Sequence, residues 1–209
     1  MFLGEPQSSK VVEAAFVRDI EDDGYVSNST RLWSWAPGLF EAFADLRVRL
    51  MDASPLGDGD WALLVTTAAS QLNDSYCSLA WAERLADSFD ADTAAEILSR
   101  RPAPGLPERE AALRDWARKV VQDPNGTTSD DVAQLRAAGL TDKEIFDATA
   151  YIAFRVALAM VNDALAASPD RQLVDSLPDP LRSAVSYGRD PSTEPSPTVT
   201  PASTAREGS

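Results

Sequence analysis

Apolar residues recur along most of this chain three and four positions apart, the spacing of one helix face, and no stretch alternates strictly as a half-buried strand would. Ser9–Asp22 reads as a helix with Val12, Ala15, Phe16 and Ile20 on one side, closed by Gly24. Tyr25–Thr30 reads as a linker, and Arg31–Trp35 as a short helical piece stopped by Pro37. Pro37 suits the first turn of a helix to about Met51, with a stripe of Leu39, Phe40, Phe43, Leu46 and Leu50. Gly57-Asp58-Gly59 is expected to turn the chain into two helical runs, Trp61–Leu72 and a second through Phe89, meeting at a polar knot, Asn73-Asp74-Ser75. Asp92 can cap a short helix to Arg100, Pro107 opens one to about Gln122, and Ser129 caps one closed by Gly139. Thr141-Asp-Lys-Glu144 has the form of a capping box and opens a long helix to about Ala167. That helix is apolar nearly all round, which suits a central position or an oligomer interface.

The fold class expected from this pattern is all-α. The chain divides into an N-terminal arm and helix (1–23), one helical domain (24–189) and a Pro/Ser/Thr tail (190–209). The tail is expected to be disordered, because it has too little apolar surface to offset the entropy of ordering. Residues 168–189 are expected to pack as a short irregular coda.

Charge narrows the function. Acidic residues outnumber basic ones by 33 to 19, a formal net charge of −14. A nucleic-acid partner is therefore not expected, since it requires a basic face, nor is an anionic membrane surface. No run of about 18 apolar residues is present, so no membrane span is expected, and the N-terminus lacks the pattern of a signal peptide. With no histidine, no Ser-His-Asp or Cys-His relay can form within the chain, and a zinc site is not expected. A single cysteine excludes an intrachain disulfide and fits a cytoplasmic location.

That cysteine, Cys77, is the candidate nucleophile. If Asp74 or Ser75 caps the second run, Cys77 sits in the first turn of a helix, where free N–H groups favour a thiolate. Tyr76 or Ser75 could hydrogen-bond it, and Asp74, though a good cap, opposes its ionisation. Trp81 lies one turn later and could wall a pocket. The alternative for Cys77 is a small buried hydrophobe, which free cysteine often is. Arg155, inside the long apolar helix, needs a partner: Asp147, Asp163 or an anionic ligand.

The segment LNDSYCSLAWAERLA (72–86) resembles the active-site stretch of the carboxymuconolactone decarboxylase and alkylhydroperoxidase D-like superfamily, and VNDALAASPD (Val161–Asp170) and GYVSNSTRLWSWAPGLFEAF (Gly24–Phe43) resemble flanking segments. The resemblance covers roughly Gly24–Gly188 and implies the helical bundle of that superfamily, commonly a homo-oligomer. The family's second cysteine and the tyrosine before it match Cys77 and Tyr76. Its first cysteine falls at Asp74, its histidine at Trp81, and its glutamate near Ala62 or Leu63, with Asp60 the nearest acid. Neither dithiol peroxidase nor histidine-dependent decarboxylase chemistry fits these positions. What the resemblance leaves is a one-cysteine peroxidase acting on a hydroperoxide with an external thiol as reductant and no cofactor, or a small-molecule-binding scaffold without catalysis.

Overall fold

In the computed structural model, which describes residues 1–198, twelve α-helices and one short 3-10 turn carry the architecture, with no strand among the described residues. They are α1 (Lys10–Asp23), α2 (Asn28–Trp33), α3 (Leu39–Asp52), α4 (Asp58–Leu72), α5 (Ser75–Ala80), α6 (Ala82–Phe89), α7 (Ala91–Leu98), α8 (Glu108–Gln122), α9 (Ser129–Ala137), α10 (Asp142–Ala164), α11 (Arg171–Ser176) and α12 (Asp179–Ala184). No helix among the described residues is long and apolar enough to cross a membrane.

The central element is α4. Every residue from Asp60 to Ser70 is buried, and the helix packs chiefly on α8 and α10 and also on α5, α6 and α7. Its small side chains Ala62, Ala68 and Ala69 let neighbours approach closely, while Trp61 fills the centre with its ring 4.7 Å from that of Tyr151. The long apolar α10 is only half enclosed. Ile145, Ala148, Ile152, Arg155, Ala159 and Asn162 form a buried stripe at helical spacing, whereas Phe146 and Met160 remain 67% and 63% exposed. The stripe expected to bury α3 does not do so. Phe43 meets Phe154 edge-on at 6.5 Å, but Leu39, Leu46 and Val48 stay exposed, because α3 is an outer helix touched by α2 and α10 alone to any extent.

Local chemistry sets most boundaries. Left-handed Gly24 ends α1, as the sequence predicts, while Ser9, expected as its first residue, caps it from outside. The Thr141–Glu144 box opens α10. Other boundaries move. Ser27 caps α2, so helix occupies Asn28–Thr30 where a linker was expected. Gly38, left-handed, precedes α3, so Pro37 stands outside the helix; Asp58 already belongs to α4; Thr128 rather than Ser129 caps α9; and Asp90 rather than Asp92 caps α7. The run after the polar knot breaks at Trp81 into α5 and α6, and the expected coda contains α11 and α12. The first part of the tail is held against the body. Ser192 and Ser196 bond to Asn28 and Asp170, and Val26 N–H donates to the Pro197 carbonyl at 2.7 Å. The remainder of the expected disordered segment, 199–209, lies outside the described residues.

Candidate functional site

The polar knot is built as two caps back to back. Asn73 adopts the left-handed conformation at φ 62 and closes α4, while Asp74 N–H donates to the Ala69 carbonyl at 2.9 Å. The Asp74 carboxylate then accepts the Cys77 N–H at 2.9 Å and opens α5. Cys77 therefore stands in the first turn of a helix, the position expected of it. The expected consequence does not follow, because Cys77 is 5% exposed and its thiol is pushed well up, first by burial, then by the Asp74 carboxylate, against the opposing pull of Arg155. Magnitudes explain the reversal. A helix N-terminus contributes about 0.3–1 kcal/mol, below one pKa unit at about 1.4 kcal/mol, whereas full burial moves a group by up to about 3–5 units.

The neighbours of the sulfur differ from those the sequence suggests. Tyr76 turns its hydroxyl away to Asp170, 2.5 Å off, and Ser75 donates to the Arg189 carbonyl at 2.8 Å, so neither bonds the thiol. Arg155 does, with Nη2 3.4 Å from Cys77 Sγ. Arg155 has neither expected carboxylate partner. Buried Asp147 is taken by Lys143 at 2.6 Å, and Asp163 shows Arg189 its backbone carbonyl. Asp60, the acid nearest the family's glutamate position, is likewise engaged: it accepts both ends of the Arg109 guanidinium at 2.8 and 3.2 Å and the Gly57 N–H at 3.0 Å.

Cys77 and Arg155 reach a cleft of about 550 Å³ lined by α1, α2, α3, α5, α6 and α10. Tyr76 and Trp81 also line it; Ser75 and Asp74 lie behind, in the wall. Trp81 receives two guanidinium groups, with Arg84 Cζ 4.7 Å and Arg155 Cζ 5.5 Å from the ring centroid. Sequence reasoning missed Arg47 on the cleft and buried Tyr151 near its cations, while Arg84, which reads from the sequence as solvated surface, is exposed and also lines the cleft. Arg47 could have been found, since it continues the stripe Phe40, Phe43, Ala44 at helical spacing, a cation on an apolar face just as Arg155 is on α10. Among the described residues no group of three or more acidic or thiol side chains is placed to hold a metal ion.

Three acids near this corner have carboxyl groups pushed up, Asp74, Asp163 and Asp170, each first by burial. Asp163, partly exposed, rises to about 6, with Asp74 adding repulsion and Arg189 relieving it. A folded-state value above the unfolded one stabilises the fold below the unfolded pKa, and that stability is lost as pH rises through the folded pKa. Asp163→Asn is therefore expected to gain on the parent between pH 4 and 7 by about 1 kcal/mol after solvent screening. Urea midpoints of the two proteins at both pH values test this; a constant difference across the range would refute it.

No protein-family model matches the chain, and no curated protein does either. Solved structures do match. An uncharacterised peroxidase-related protein from Ralstonia eutropha, described as an alkylhydroperoxidase AhpD core, superposes with TM-score 0.73 at 21% identity, over 82% of this chain and 93% of its own. The chain has the alkylhydroperoxidase D-like fold. A peroxidase-related protein from Silicibacter sp. shares this fold at TM-score 0.73 and 22% identity over the same shares. A cysteine-to-alanine variant of the debrominase Bmp8, solved with 2,3,4-tribromopyrrole, gives TM-score 0.67 at 15% identity over 87% of this chain and 97% of its own. Asp74 and Trp81, the residues that the sequence resemblance sets against the family's first cysteine and histidine, are a helix cap and an indole under two guanidinium groups.

Proposed function

We propose that this alkylhydroperoxidase D-like protein binds a small molecule in the cleft over Cys77, with the thiol held protonated at rest as part of the wall. The observation that carries this reading is the placement of a buried thiol, its pKa raised, beside a roomy cleft. The binding of tribromopyrrole by the Bmp8 variant supports ligand binding on the same fold. The exposed Phe146 and Met160 of α10 support self-association through that helix.

The second reading is a one-cysteine peroxidase, favoured by the Arg155 contact to the sulfur. Its cycle would run through a thiolate that attacks the hydroperoxide, breaking the O–O bond, releasing an alcohol and leaving a sulfenic acid. An external thiol would then form a mixed disulfide with loss of water, and a second would restore Cys77. Thiol labelling separates the two. Under the binding reading, the folded protein at pH 8 reacts with maleimide at least ~100-fold more slowly than free cysteine, and peroxide leaves its intact mass unchanged. Rapid labelling, together with the gain of one oxygen at Cys77 that an added thiol reverses, would replace the binding reading with the peroxidase.

A further inference from the structure

This chain carries 14 more acidic than basic residues, and seven of its fifteen described arginines hold carboxylates: Arg109 holds Asp60, Glu110 and Glu144, and Arg31, Arg114, Arg118, Arg136, Arg171 and Arg182 each hold one. The arginines around Cys77 do not. Arg47, Arg84 and Arg155 all line the cleft, and none forms an ion pair among the described residues. Arg155 is 8% exposed, and its Nε, like that of Arg47, is buried without a hydrogen-bond partner. The Tyr151 hydroxyl, buried beside the same three cations, is also unpartnered. Buried polar groups are nearly always satisfied, and an unpaired buried cation is among the most expensive features a fold can hold. The three cations also repel one another, and burial with that repulsion depresses the Arg47 pKa.

Deepening the binding reading and resting on it, we propose that the cleft is an anion site and takes an organic carboxylate. Arg155 and Arg47 grip the carboxylate at the floor, where guanidinium forks match its two oxygens. Arg84 stands over Trp81 nearer the solvent. The apolar body lies along Phe43, Phe154 and Leu158, side chains that offer inorganic phosphate nothing. The cleft also shows Arg18, Asp19, Asp22, Asp23 and Glu41. Asp22 and Asp23 are exposed and screened by salt within about 8 Å, and Asp19 already accepts the Ser27 N–H at 2.9 Å. The buried floor is screened far less, so its positive charge decides what binds there.

Calorimetric titration of the full chain with arylalkyl carboxylates from benzoate to 4-phenylbutyrate, with their primary amides, and with inorganic phosphate tests this. At least one carboxylate is expected to bind ~10-fold or more tighter than its amide and than phosphate, with Arg47→Gln, on a half-buried residue, and Arg84→Gln, on an exposed one, each lowering that ratio several-fold. Arg155→Met should abolish it; because that variant can fail for want of folding, the two glutamine variants carry the test. Amide binding equal to carboxylate would overturn the anion site and leave the binding reading standing. Phosphate binding as tight as the carboxylates, or a ratio unchanged in both glutamine variants, would overturn the assignment as well. Binding of none of these probes would overturn the anion site and leave the binding reading to the thiol-labelling test.

Discussion

Gly188→Ala is expected to destabilise the protein by about 3–4 kcal/mol and to expose Cys77 to labelling. Gly188 has φ +79, where a side chain costs about 1–2 kcal/mol. A Cβ there would also stand 2.3 Å from the Asn73 carbonyl oxygen and 2.8 Å from Ser75 N, backbone atoms of the knot that cannot swing aside. Overpacking of this kind adds about 1–3 kcal/mol. The segment around Gly188 staples the knot in place. Arg189 N–H donates to Ser75 Oγ at 3.0 Å and its guanidinium to the Asp163 carbonyl at 2.8 Å, while the Tyr187 hydroxyl lies 2.9 Å from Ser78 Oγ. Pushing this segment away would release both caps that enclose Cys77. Gly57→Ala is the control: nothing lies within 4 Å of its Cβ position and its φ is −91, so a loss below about 1 kcal/mol is expected. Equal urea midpoints for the two variants, with Cys77 still protected in both, would refute the staple.

What the sequence reveals here is mostly local. Caps are short-range chemistry, so Gly24, Asp74 and the Thr141 box are legible from a few neighbouring residues. The break at Trp81 is not, because apolar spacing continues through it, and only the need to turn α6 onto α4 and α7 ends α5 after six residues. The helices α11 and α12 are too short for periodicity to register. The pinned tail escapes an argument from composition because Ser192 and Ser196 hold it by hydrogen bonds to buried groups, not by apolar area. The site suffers most. Its cations come from residues 47, 84 and 155, on three helices that sequence spacing does not connect. The direction of the thiol shift depended on burial, which α5's own residues do not determine.

The second large effect concerns the hub behind Tyr76. Asp170 is fully buried and accepts hydrogen bonds from Asn28 N–H at 3.0 Å, from the Tyr76 hydroxyl at 2.5 Å and from Ser196 Oγ. It thereby joins the start of α2, the first turn of α5 and the segment after Asp190. Asp170→Ala would leave three donors buried without an acceptor, at about 1–3 kcal/mol each before relaxation, and a net loss of about 4 kcal/mol is expected. Tyr76→Phe removes one donor and leaves the carboxyl two others, so about 1–2 kcal/mol is expected. Because both remove the same bond, the double variant should lose about 1 kcal/mol less than the sum of the singles. Urea unfolding of the four proteins measures the coupling. Strict additivity would show that Tyr76 stabilises by filling space alone. Coupling would show instead that its hydroxyl is committed to holding α5 against α2 and the chain after α10. That commitment is what removes Tyr76 from the thiol and leaves Arg155 as the side chain that donates to the Cys77 sulfur.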